Sequence, residues 1–282
     1  SMKGGLTNSV NTISAEIMMD MGPGTAVKYA RKFGFTSDLP QEPSLVLGTA
    51  DLTLKEMAGA YSAFANEGMR VAPISITRIE DATGETLVSF PQEAERSRAM
   101  TPEVASMMQI MLQSVVDSGT ARRLRFKYQV PGQIGGKTGT TQNQSDGWFM
   151  GVTPQLVMGV WVGGETRKVR FRTLSLGQGA ATALPIAGLF LQDLYKHPSY
   201  RKWKYDQFPT PGLSIAQSLD CPMYSWDGRN PKDKKGLRDF LDQLRNKQKE
   251  RKSERQKKRD ERRKRNRDAW EDLFKKKKSK RF

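Results

Sequence analysis

Lys137-Thr138-Gly139-Thr140-Thr141 places a cation, three hydroxyls and a glycine on five consecutive residues. On a strand at the rim of a cleft, Lys137 supplies a fixed positive charge. The Thr138 and Thr140 hydroxyls suit a substrate carboxylate. Gly139 lets a ligand backbone lie close to the strand, and the Thr140 N–H is placed to face a developing oxyanion. The same residues also read as an edge strand with a lysine beside a glycine bend. A second polar group, Ser9-Val10-Asn11, stands at the head of an apolar-periodic segment. There Asn8 and Ser9 are good N-cap residues and Asn11 is a first-turn residue. A Ser-x-x-Lys occurs once, at Ser199-Tyr200-Arg201-Lys202, after Lys137 and beside His197-Pro198. It lies in a stretch with no helical apolar face and reads as a chance match. His197 is the only histidine, which supports neither a zinc site nor a Ser-His pair, so no metal or other cofactor is expected.

The elements that position these groups follow from periodicity. Ile13, Ile17, Met18 and Met21 predict a first helix over about Ser9 to Met21, stopped at Gly22-Pro23. A short helix is expected near Thr25 to Phe33, then a loop over 36–52. Thr53-Leu54-Lys55-Glu56 is a capping box and opens a helix that ends at Gly68. Residues 71–90 alternate around Thr83-Gly84 and predict a hairpin. Thr101-Pro102 opens a helix to about Asp117, with proline at its first position. Strands are expected over Ile134 to Thr141, Gly147 to Val152 and Leu156 to Gly164, the last two joined at Thr153-Pro154-Gln155. A closing helix runs over Ala180 to Tyr195. Helices first, then a meander, then a helix argue for an α+β domain with an antiparallel sheet.

Charge divides the chain. Of the formal +17, the residues from Arg229 onward carry +15, so the first 228 residues are nearly neutral. We read 1–196 as the folded domain, 197–231 as an irregular strap rich in Pro and aromatics, and 232–282 as a basic tail, disordered or helical. Sparse aromatics and the lack of a recognition motif argue against nucleic acid as the tail's partner. Trp270, Leu273 and Phe274 flanked by lysines suit an anionic membrane or polymer surface. One cysteine, Cys221, excludes an internal disulfide. No run of 18 apolar residues is present, and Ser1 to Gly5 lack the apolar core of a signal peptide.

Ser-x-Asn followed by Lys-Thr-Gly, with a Ser-x-x-Lys ahead of both, is a signature of class A β-lactamases and penicillin-binding proteins. Four segments carry a closer resemblance: Ser9-Val10-Asn11-Thr12, then Pro43 to Thr49 leading to Tyr61 to Gly68, then Lys137 to Thr141, and finally Asp146 to Pro154 with Val160-Trp161-Val162-Gly163. In this order they resemble the transpeptidase domain of class A penicillin-binding proteins of the 1A type, from about residue 5 to about 196. The resemblance implies a β-lactamase-like α+β fold, incomplete at its N-terminus, with a mainly antiparallel five-stranded sheet and Lys137 on an edge strand. It implies a D,D-transpeptidase at the extracytoplasmic face of the membrane, with peptidoglycan stem peptides and β-lactams as partners. By the same resemblance Ser9, Asn11 and Lys137 are catalytic. Thr138, Gly139, Thr140 and Thr141 bind substrate. No Ser-x-x-Lys precedes Ser9, so the nucleophile is expected outside these residues and the chain alone is expected to be inactive. It is also expected to expose apolar surface. A β-lactamase or carboxypeptidase is the alternative within the fold. A non-enzymatic module acting through the basic tail is the alternative outside it.

Overall fold

A computed structural model of the chain describes residues 1–90 and 93–209. The readings that fall on 210–282, namely the end of the strap and the whole basic tail, lie outside the described residues. The helices are α1 (Met2–Thr7), α2 (Asn11–Met21), α3 (Pro23–Lys32), α4 (Leu54–Ala65), α5 (Pro102–Asp117), α6 (Arg123–Phe126), α7 (Leu174–Gly177) and α8 (Ala183–Lys196). The strands are β1 (Met69–Val71), β2 (Arg78–Glu80), β3 (Thr86–Ser89), β4 (Arg96–Arg98), β5 (Gly135–Thr140), β6 (Asp146–Val152) and β7 (Val157–Gly163).

The main sheet has the order β5-β6-β7 and is antiparallel throughout. Among the described residues it has three strands, not the five that the resemblance implied. The remaining strands pair among themselves, β1 with β4 and β2 with β3. They are three or four residues long and form two separate two-stranded ladders. β5 is an edge strand, as expected for the strand of Lys137. Alternation along the ladder puts Lys137, Gly139 and Trp148 on one face and Thr138, Thr140 and Phe149 on the other. α4 and α5 pack on the first face, where a Cβ at Gly135 would press on Leu112 and one at Gly159 on Leu54. α8 packs on the second, against Phe149 and Met158 through Ala183, Leu184, Ala187 and Leu191. Phe149, Leu184 and Leu191 are fully buried there. Each side chain of this kind stabilises the fold by about 1.5–3 kcal/mol.

Three expectations need correction. The helix expected over Ser9 to Met21 forms as α2 but starts two residues later, and a separate short helix, α1, precedes it. α1 ends at Thr7, α2 begins at Asn11, and Ser9 sits between them at φ 54. Ser9 is therefore not a cap. The N-cap of α2 is Val10, which offers no side-chain cap hydrogen bond, whereas Ser1 caps α1 through its hydroxyl. α1 carries two glycines and almost no apolar pattern. Tertiary contact holds it, with the buried Thr7 hydroxyl 2.6 Å from Ser114 Oγ. The loop over 36–52 contains a 3-10 turn, Pro43–Leu47. The hairpin keeps its turn, with Gly84 at φ 89, but its strands are shorter than 71–90. Met69–Val71 pairs instead with residues 96–98, a partner that local alternation does not reveal. The capping box forms as read, with Thr53 and Glu56 each closing on the other's backbone N–H. Of the strap, Phe208 is buried and its N–H donates to Gln133 Oε1 at 2.7 Å.

Candidate active site

Two helices, α5 and α1, converge on β5. α5 lies against the strand so closely that Gly135 has no room for a side chain beside Leu112. The turn that follows α5 fixes α1, because Thr120 N–H donates to Thr7 O at 3.2 Å. α1 then delivers Ser9, held in the left-handed region by the tight turn between two helices, with its N–H bonded to Leu6 O. A non-glycine residue held there costs roughly 1–2 kcal/mol, and such strain concentrates at functional sites.

The outcome is a contact between residues 128 apart: Lys137 Nζ donates to Ser9 Oγ at 2.9 Å. The ammonium also donates to Thr138 O at 2.8 Å. Among the described residues no carboxylate pairs with Lys137. Burial of the half-buried ammonium lowers its pKa below the ordinary lysine value. A lysine so disposed gives up its proton more readily than a surface lysine, and its partner is an exposed hydroxyl. The pair can pass a proton between Oγ and Nζ.

Thr138 and Thr140 point to the opposite face. Thr138 Oγ1 lies 2.7 Å from Thr120 Oγ1, and Thr140 Oγ1 accepts the Gly179 N–H at 3.0 Å. Gly179 is wedged against β5 and β6, since a Cβ there would collide with Gly139 O and Trp148 O. Gly139 faces Trp148, where a Cβ would stand 3.1 Å from the Trp148 Cβ. Two residues expected at the site are not drawn to Lys137. Asn11 is exposed on the first turn of α2 and makes no hydrogen bond with Ser9 or Lys137. Thr141 turns into the β5–β6 connection, where its hydroxyl lies 2.8 Å from Ser145 Oγ and accepts the Asp146 N–H at 3.0 Å. Ser199 is exposed beyond α8, with its N–H on His197 Nδ1. Sequence reading missed Thr120 and Gly179. In sequence Gly119-Thr120 marks only the end of a helix, and Gly179 is one glycine of a loop. No group of three His, Cys, Asp or Glu among the described residues is placed to hold a metal ion.

Residues 1–170, which include Ser9 and the whole of β5, match the family model for the penicillin binding protein transpeptidase domain. The chain belongs to the penicillin-binding protein transpeptidase family. Penicillin-binding protein 1A of Neisseria meningitidis serogroup A is 37% identical over 190 residues, which cover 66% of this chain and 23% of that protein. Penicillin-binding protein 1A of Aquifex aeolicus is 35% identical over 182 residues, 64% of this chain and 24% of that protein. The chain thus spans about a quarter of the length of the curated relatives it matches. Among solved structures, penicillin-binding protein 1A from Haemophilus influenzae aligns with a TM-score of 0.63 at 25% identity, over 75% of this chain and 36% of that one. Penicillin-binding protein PonA1 from Mycobacterium tuberculosis aligns at 0.60 and 22% identity, over 75% and 59%, and supports the fold alone. The α+β expectation and the resemblance to the 1A type both hold. Membership makes the Lys137–Ser9 contact a candidate catalytic pair.

Proposed function

We propose that this chain forms part of a D,D-transpeptidase site that cross-links peptidoglycan stem peptides through a serine acyl-enzyme. The contact between Lys137 and Ser9, in a chain of this family, carries the reading. The nucleophile is a serine in a Ser-x-x-Lys outside these 282 residues, because the only match, Ser199 to Lys202, has no contact with the pair. Its oxygen bonds to the penultimate D-alanine carbonyl carbon, and the peptide C–N bond breaks. Ser9 relays the serine's proton to the departing D-alanine amine, with Lys137 as electrostatic partner. The acceptor amine of a second stem peptide then attacks the ester, and its proton returns to the serine oxygen. Thr138 and Thr140 bind the terminal carboxylate, Gly139 and Thr141 complete the substrate-binding stretch, and Asn11 holds a substrate amide. β-Lactams acylate the same serine, at the extracytoplasmic face of the membrane. The basic tail adheres to anionic membrane or wall polymer, a reading that rests on its charge.

Incubation of the chain with a fluorescent penicillin, read by intact mass, tests this. We expect no adduct on the chain and one adduct on a longer chain extended upstream through a Ser-x-x-Lys. An adduct on the 282-residue chain, mapped to Ser9 or Ser199, overturns the assignment of the nucleophile. No adduct on either chain overturns the activity.

A further inference from the structure

Thr120 ties together the same two halves of the site that the Lys137–Ser9 contact joins. Its backbone N–H holds α1 through Thr7 O, and its hydroxyl holds β5 through Thr138 Oγ1 at 2.7 Å. Its place is tightly defined. The preceding Gly119 fits against Thr7 O with no room for a Cβ, and Thr7 is itself buried and bonded to Ser114. Among the described residues, Thr138 Oγ1 has no other hydrogen-bond partner. The Lys137 ammonium approaches Thr138 at its carbonyl, so it does not compete for the hydroxyl.

Two hydroxyls carry two protons, and the bond between them uses one. Each hydroxyl is one donor and a double acceptor. When Thr138 donates to Thr120, it has nothing left to give an anion. When it accepts from Thr120, its own proton is free. A carboxylate beside β5 selects the second arrangement, and the chain Thr120 to Thr138 to carboxylate strengthens each bond in turn. We propose that Thr120 is a positioning residue for carboxylate recognition, fixing the Thr138 hydroxyl as a donor to the C-terminal carboxylate of a peptide substrate. The proposal rests on the transpeptidase reading above.

The test is a titration of the isotope-labelled 282-residue chain with N-acetyl-D-Ala-D-Ala and with its C-terminal amide, followed by the amide NMR shifts of β5. In the unsubstituted chain the acid is expected to bind more tightly than the amide. Thr120→Val is expected to weaken the acid about tenfold and the amide little, and Thr120→Ser to restore it. Thr138→Val is expected to match Thr120→Val, with no further loss in the double variant. Thr120→Ala, which adds no methyl to place, serves if the valine variant does not fold. Equal weakening of acid and amide, or no rescue by serine, makes Thr120 merely structural and overturns the proposal. If neither ligand shifts β5 in the unsubstituted chain, this inference falls, and the adduct on the longer chain decides the transpeptidase reading separately. Binding of both ligands, unchanged by Thr120→Val, overturns this inference alone.

Discussion

Glu56→Ala should cost about 2–3 kcal/mol of folding stability, more than a helix cap alone is worth. Glu56 Oε1 accepts from Thr36 N–H at 2.7 Å, Thr36 Oγ1 at 2.9 Å and Ser37 N–H at 2.8 Å. Oε2 accepts from Ser37 Oγ at 2.6 Å, Thr53 N–H at 3.1 Å and Thr53 Oγ1 at 2.9 Å. The carboxylate therefore closes the cap of α4 and also ties down a loop about 20 residues earlier in the chain. The cap contributes about 1 kcal/mol. The loop tie adds roughly 1–2 kcal/mol, below the buried-site value because Thr36 is exposed and water replaces part of what is lost. Burial by itself would raise the Glu56 pKa, but the hydrogen bonds from Ser37, Thr36 and Thr53 outweigh it and hold the carboxyl well below the usual range. A depressed carboxylate contributes stability above its unfolded pKa of about 4.3 and loses it as pH falls toward the folded value. Urea denaturation at pH 7 should show Glu56→Ala with a midpoint lower by about 1 M, and Thr53→Ala with a smaller loss. The gap between the unsubstituted chain and Glu56→Gln should narrow below about pH 4. If Glu56→Ala and Thr53→Ala are equally destabilised, the loop tie contributes nothing and the reasoning is wrong.

Ser9 holds φ 54, so Ser9→Gly should be more stable than Ser9→Ala by about 1 kcal/mol in the same urea assay, although both lose the hydroxyl. Lys137→Met should raise the thermal midpoint at pH 7, because burial disfavours the charged lysine in the folded chain. The cost is full below the folded pKa and is relieved as pH rises toward the unfolded value of about 10.4, so the advantage should shrink on that climb. A lower midpoint for Lys137→Met at pH 7 would contradict this. Gly179→Ala should destabilise by about 2–4 kcal/mol, since its Cβ meets the β5 and β6 carbonyls rather than a movable side chain, and circular dichroism melts would show it. α8 presents Ile186, Leu189 and Phe190 to solvent at 51%, 55% and 48% exposure. Sedimentation at rising concentration should show self-association that Leu189→Lys with Phe190→Glu relieves.

Where a signal is local, the sequence by itself was sufficient. The capping box before α4, the proline that opens α5 and the Thr153-Pro154-Gln155 turn between β6 and β7 each concern neighbours within a few residues, and each element formed within a few residues of its expected bounds. The Lys-Thr-Gly strand and the Ser-x-Asn group were legible as types of residue in an order, and together with the stretches within 43–68 and 146–163 they sufficed to place the family. The working geometry was not legible. No local pattern indicates that Ser9 leaves the helix for a left-handed turn, or that Thr120 and Gly179 grip β5 from its far face. These are contacts across 128, 18 and 39 residues. Tertiary structure decided them, because a glycine-rich segment such as α1 has little helical preference of its own. Only its packing on α5, with Thr7 bonded to Ser114 and Thr120, sets where Ser9 must stand.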